Sequence, residues 1–200
     1  DDSIVITKMT NSGSLDIHTI LKASQAISGE IQLERLLEKM LQILIENAGA
    51  EKGFFLLKEK ENWYIQAEGN SNSDKVEVLK AKSLEDNIHL SIGIVNYVIR
   101  SKKMILLDNA SQKGIFTNDE YVKEKQPKSI LCYPILYRGN IVGVVYLENN
   151  LSTNVFTSHR VEILQFLSSQ IAISIENSLL YASMEQKVME RTSQVNEMLA

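Results

Sequence analysis

The chain predicts an α/β fold: a central, largely antiparallel sheet flanked by helices, with a long C-terminal coiled-coil helix. Three observations lead there. Apolar residues recur every three or four positions up to Gly49 and then shift to alternation or unbroken runs, the change of period that separates helix from strand. The segment SILCYPILYRGNIVGVVYLENN, residues 129–150, reads as two antiparallel strands joined at Arg138-Gly139-Asn140, with β-branched and aromatic residues on both sides of the turn. From Ser158 to Ala200 there is neither proline nor glycine, so one helix of about 60 Å is allowed there.

The elements follow in order. Residues 1–14 are polar and read as linker. Asp16 is placed to cap the helix IHTILKASQAIS, in which Ile17, Ile20, Leu21, Ser24 and Ile27 form one stripe, and Gly29 ends it. In LERLLEKMLQILIENAG, the residues Leu33, Leu36, Leu37, Met40, Leu41, Leu44, Ile45 and Ala48 make an apolar face too wide for a two-stranded seam, so this helix must pack on a sheet or on several helices. Gly49 supplies its left-handed stop. GFFLLKEKENWYIQAEG reads as a hairpin, and residues 69–90 as polar chain without clear period. A helix then turns Ile94, Val95, Val98 and Ile99 inward, and MILLDNA is a strand. SQKGIFTNDEYVKEKQP is a loop with a short helix at Asp119 to Lys125, stopped by Pro127. Thr157 or Ser158 caps the last helix.

That helix changes character along its length. Val161, Leu164, Phe166, Leu167, Ile171, Ile173 and Ile175 cover more than one side, as a helix packed on a globular body requires. Beyond them Tyr181, Met184, Val188, Arg191, Val195 and Met198 stand at gaps of 3, 4, 3, 4 and 3, the spacing of a parallel coiled coil. The seam is weak, with an arginine in it. An exposed single helix is marginal in water, and a second copy of the chain is the simplest partner, with the first helix lying beside it in the dimer. The expected organisation is a linker at 1–14, a sensory domain at 15–180 and a signalling helix at 181–200.

A net charge of −4, without a basic run carrying aromatic residues, excludes a nucleic-acid interface. No apolar run is long enough to cross a bilayer. The single cysteine, Cys132, precludes an intrachain disulfide and fits a reducing, cytoplasmic setting. The opening residues, without an initiator methionine or signal peptide, read as the interior of a longer protein.

Catalytic motifs are lacking. His18, His89 and His159 are far apart, with no CxxC or HExxH spacing for a metal. No phosphate-binding glycine loop and no GxSxG occur. Cys132 lies within an apolar strand, as a core residue or a cavity wall rather than a nucleophile. Asn109 and Glu148 close strands and could line a pocket mouth, with Phe116, Tyr121 and Tyr146 leaning into the same region. The same polar residues also serve as caps of strand ends and turns. The candidate pocket residues are therefore Asn109, Phe116, Tyr121, Cys132, Tyr146 and Glu148, with no catalytic and no metal-binding residue.

The stretches LKASQAISGEI, ENAGAEKGFFLL, IVNYVIRSKK, LLDNASQKGIFTNDEY, PKSILCYPI and YLENN resemble a GAF domain, over residues 15–200. They look most like the GAF segment of large multidomain bacterial sensors, in which a serine/threonine-kinase-like domain and an ATPase region precede it. A histidine kinase or a nucleotide cyclase follows, and MEQKVMERTSQV resembles the lead into that module. The resemblance implies dimerising terminal helices on one face of the sheet and a ligand pocket under loops on the other. Its ligands include cyclic nucleotides, bilins, haem and small acids. The NKFDE-type motif of the cyclic-nucleotide group is missing, and Cys132 is on a strand without a neighbouring histidine, so neither covalent bilin nor haem is expected. The ligand stays unknown. A regulatory module passing its signal to a kinase or cyclase is one reading, and a ligand-free dimerisation spacer is the other. An enzyme of the sulfoxide-reductase type, which uses several cysteines, fits least.

Overall fold

The computed structural model describes residues 18, 20–72 and 76–199. The expected linker at 1–14, the Asp16 cap and Ile17 lie outside the described residues. The elements are α1 (residues 20–28), α2 (Leu33–Ala48), β1 (Lys52–Glu59), β2 (Asn62–Asn70), β3 (Val76–Ser83), α3 (Ile92–Ser101), β4 (Ile105–Leu107), α4 (Glu120–Lys125), β5 (Ser129–Tyr137), β6 (Asn140–Asn149) and α5 (Ser158–Leu199).

The strands form one sheet in the order β3-β2-β1-β6-β5-β4, and every neighbouring pair is antiparallel. The first and last strands thus pair at its centre. Both faces are covered, so the central strands read as apolar runs rather than alternating ones. Successive residues still go to opposite sides. Phe55, Leu57, Leu131, Val145 and Leu147 pack under α1, α2 and α5. Phe54, Leu56, Ile130, Cys132, Val144 and Tyr146 face α3, α4 and their loops.

The wide face of α2 buries Leu36, Leu37, Met40, Leu41, Leu44, Ile45 and Ala48 as its spacing requires. Its end is closed from a distance. Arg160, in the first turn of α5, donates from Nη1 to the carbonyls of Ala48 at 3.1 Å and Val155 at 2.9 Å. A cation at the carbonyl end of a helix is favoured by the helix dipole. Gly49 is needed there twice over: its φ is +71°, and a Cβ would collide with the Arg160 guanidinium.

Three sequence expectations need correction. Residues 76–83, read as aperiodic chain, form the edge strand β3, paired with β2. VEVLKAKS mixes four apolar residues with Glu77 and two lysines, a charged composition that suits a strand at a sheet edge and weakens its signal. In α1 the inward line is Ile20, Ala23 and Ile27, while Leu21 is 53% exposed because it lies about a quarter-turn away. On α5, Phe166 and Ile173 are exposed and only Val161, Leu164, Leu167, Ile171, Ala172 and Ile175 of the apolar residues enter the core.

Other local expectations agree with the structure, although the strand expected over MILLDNA is confined to Ile105–Leu107. Arg138 and Gly139 have φ of +50° and +80°, as a two-residue hairpin turn with right-handed twist demands. Asp119 caps α4 by accepting from the Val122 N–H at 3.2 Å, and the helix stops before Pro127. Burial on α5 ends at Ser178, whose hydroxyl donates to the Ile31 carbonyl; from Leu179 to Met198 every residue is exposed.

Candidate functional site

The β1–β6 register sets Lys52 directly across from Glu148, and Phe54 across from Tyr146. Tyr146 and Glu148 are two apart on β6 and so share a face of the sheet. A carboxylate with no exposed surface results, and three donors surround it. Lys52 Nζ lies 2.9 Å from Glu148 Oε1. The Tyr146 hydroxyl donates to Oε2 at 2.8 Å. The Tyr121 hydroxyl, delivered by α4, stands 3.0 Å from each oxygen. Lys52 also donates to the Tyr121 oxygen and to the His89 carbonyl, and lies 5.2 Å from the centre of the Tyr121 ring. A buried charge persists only when paired and hydrogen-bonded, and here the chain provides both.

This environment keeps both phenols neutral. Burial, reinforced by the Glu148 charge, pushes Tyr121 and Tyr146 well above the ordinary tyrosine value. The Ser91 backbone, at the α3 N-cap, opposes the Tyr146 shift. An unfolded tyrosine titrates near about 10, so above that pH the unfolded chain loses protons that the fold retains. Stability is therefore unaffected by these two groups below about pH 10 and falls as pH rises beyond it, by about 1.4 kcal/mol per pH unit for each tyrosine. Denaturant unfolding at pH 9 to 11 should show a steeper decline in the native chain than in Tyr121→Phe. Parallel curves would mean that Tyr121 titrates normally in the fold.

Two cavities flank this centre. One, of about 420 Å³, is lined by Lys52, Phe54, Glu68, Glu77 and His89 among others. The other, of about 290 Å³, lies between the 87–90 loop, the start of α3 and α4, and is bordered by Asn87, Leu90, Gly93, Asp119, Tyr121 and Glu124. Asn87 is 3% exposed; its Oδ1 accepts from the His89 N–H at 2.6 Å, and its Nδ2 has no partner among the described residues. A buried amide donor left open beside a cavity is a place for a ligand or water oxygen.

Of the six candidate pocket residues, the structure unites Tyr121, Tyr146 and Glu148. Cys132 pairs with Tyr146 across β5 and β6 and is wholly buried, and burial raises its thiol well above the ordinary value, which disfavours the thiolate. Asn109 donates to Gln112 in the turn after β4. Phe116 packs edge-on against Tyr97 at 5.6 Å, along a groove outside α3. Neither reaches the carboxylate network. Sequence reasoning missed Lys52 and Asn87. A lysine opening an otherwise apolar strand was the one available sign of Lys52; its partner depends on register.

Residues 32–175, well over half of the chain, match the GAF domain family. The chain belongs to the GAF family. Among solved structures, the GAF domain from an Acinetobacter phosphoenolpyruvate-protein phosphotransferase superposes with a TM-score of 0.65 at 20% identity, covering 83% of this chain and 95% of that one. A free methionine-R-sulfoxide reductase from Neisseria meningitidis, determined with its substrate, gives 0.62 at 11% identity, covering 85% and 93%. These likenesses concern the GAF fold. Among curated relatives, hybrid signal transduction histidine kinase G of Dictyostelium discoideum is 27% identical over 86% of this chain. The peroxide stress-activated histidine kinase mak3 of Schizosaccharomyces pombe is 22% identical over 90%. The chain spans only 8% and 7% of these relatives, so this GAF domain resembles one small part of large signalling kinases. Both are eukaryotic, so the likeness is not confined to the bacterial sensors expected from the sequence. Among the described residues no helix is long and apolar enough to cross a membrane, and no cluster could hold a metal ion.

Proposed function

We propose that the chain is a cytoplasmic regulatory GAF module that dimerises and passes a signal through its C-terminal helix to a downstream kinase or cyclase domain. In this reading residues 15–180 are the sensing body and 181–200 the output segment, with Tyr181, Met184, Val188, Arg191, Val195 and Met198 as the seam between two copies. The observation that carries it is the 42-residue α5, whose residues 179–198 leave the body with apolar side chains that nothing among the described residues covers. The membership of related segments in histidine kinases supports the same role.

The ligand side rests on the two cavities beside Lys52, Tyr121 and Glu148, and on the open Asn87 amide. An uncharged or cationic small molecule offering an oxygen to Asn87 suits the second cavity, because Asp119, Glu120 and Glu124 repel anions at its rim. A solved relative of the same fold holds its substrate, which favours ligand capacity in this fold. One observation favours the ligand-free spacer: Glu148 is already neutralised by its own chain.

Light scattering should give twice the 22.6 kDa chain mass at tens of micromolar. A monomer at that concentration would remove the dimer reading. A thermal-shift screen of small organic cations and amides separates sensor from spacer. A saturating ligand at about 100 times its Kd adds about 2.7 kcal/mol, a rise of several degrees.

A further inference from the structure

Among the described residues two buried side-chain atoms lack a hydrogen-bond partner, and Asn87 Nδ2 is the donor of the two. Turning the amide round does not cure this. Its Oδ1 accepts from the His89 N–H at 2.6 Å, and an N–H needs an oxygen opposite it, so the nitrogen is the open end. Asn87 is nearly fully buried and borders the cavity of about 290 Å³. Native folds satisfy nearly all such groups, and one left open at a cavity wall calls for an oxygen from outside the chain.

The cavity has two walls of opposite polarity. Gly93, in the first turn of the ten-residue α3, borders it beside Asn87, and the opening N–H groups of a helix carry a positive partial charge. Asp119 moderates that charge. A Cβ on Gly93 would collide with its Oδ2, so the carboxylate stands against the end of α3 while its Oδ1 accepts from the Val122 N–H. The inner wall therefore suits a neutral oxygen better than a full anion. From α4, Glu120 and Glu124 form the outer wall, and both are exposed. Of these two, only Glu124 has an ion partner among the described residues, Lys125 at 2.7 Å.

We infer that this cavity takes a small primary ammonium compound carrying an uncharged carbonyl oxygen, with the oxygen on Asn87 Nδ2 and the ammonium at the carboxylates of Glu120 and Glu124. This rests on the ligand-sensing reading above and narrows it to one cavity and one polarity. A carboxylate in place of the carbonyl meets three negative side chains, Asp119, Glu120 and Glu124. An amide without the ammonium leaves Glu120 without a counter-charge. The cavity has the volume of roughly ten waters at about 30 Å³ each, so the compound is small. Tyr121 borders the same cavity, and its hydroxyl contacts Glu148 and Lys52. A bound ligand thus lies one side chain from the buried charge network.

The probes are glycinamide, β-alaninamide and 4-aminobutanamide, which set the oxygen and the ammonium at increasing separations. Each is titrated at about pH 6.5, where the amines are protonated, into the nitrogen-15-labelled chain. Side-chain amide signals are followed by NMR, with that of Asn87 identified by its loss in Asn87→Ala. One member of the series should move the Asn87 signal and bind at least fivefold more tightly than propanamide, which lacks the ammonium, and than β-alanine, which has a carboxylate. Glu120→Gln/Glu124→Gln, at exposed positions, should weaken that member at least fivefold and leave propanamide unchanged. Glu77→Gln, at the other cavity, should change nothing. If Glu77→Gln weakens binding and the α4 variant does not, the ligand sits in the other cavity, and the inference fails while the sensing reading stands. If propanamide or β-alanine binds as well as the best probe, the ammonium or the neutral oxygen has no role and the inference falls. If no probe moves the Asn87 signal, the inference is overturned; the sensing reading falls with it only if the thermal-shift screen is also empty.

Discussion

Lys52→Met should destabilise the domain by about 3–5 kcal/mol at pH 7, because it strands a fully buried carboxylate without its cation. For a chain of this length that is a fall in unfolding temperature of roughly 10 °C, at about 2–4 °C per kcal/mol. The value belongs near the lower end, since the lysine side chain is 22% exposed and the pair is partly screened. Glu148 keeps its two phenol donors in the variant, and these offset part of the loss. The companion variant Lys52→Met/Glu148→Gln removes the stranded charge and should recover a good part of the stability, as buried pairs replaced together often do. The measurement is urea unfolding of both variants against the native chain. An unchanged midpoint in Lys52→Met would mean that the lysine is not what holds the carboxylate.

Ending the chain after Leu180 should do the opposite: little to the fold and much to the proposed dimer. Among the described residues every buried one lies upstream, from Ala23 to Ser178, so the core is intact and unfolding should move by only a few degrees. The proposed dimer loses Tyr181, Met184, Val188, Val195 and Met198, each about half exposed or more in the single chain. Burying side chains of this size contributes about 1.5–3 kcal/mol apiece when complete. Ordering of the tail opposes much of that. A dissociation constant at least tenfold weaker is expected by sedimentation or light scattering. If the shortened chain failed to fold, the boundary between body and output helix would be misplaced.

These two experiments sit on different levels of the same molecule, and the levels were unequally legible. The face of α2, the Gly49 stop, the Arg138–Gly139 turn and the unbroken α5 follow from spacing and turn chemistry, which act within a few residues. Local rules failed where the local signal was faint, as in β3. They also failed where a residue could face either way, as with Leu21, Phe166 and Ile173.

The candidate site divides in the same manner. That Tyr146 and Glu148 share a face was implicit in their spacing, and Tyr121 could be placed at a pocket because a short capped helix carries it. That Lys52 would meet Glu148 was not, since 96 residues separate them and only the pairing of the first strand with the last brings them within 2.9 Å. The chain by itself determined the elements and the long exposed helix, because hydrophobic period and backbone preference are properties of neighbours. Tertiary structure alone decided which charge neutralises which, and which side of α5 is left bare. Both depend on register and on the direction from which a distant element arrives, and no short-range pattern encodes either.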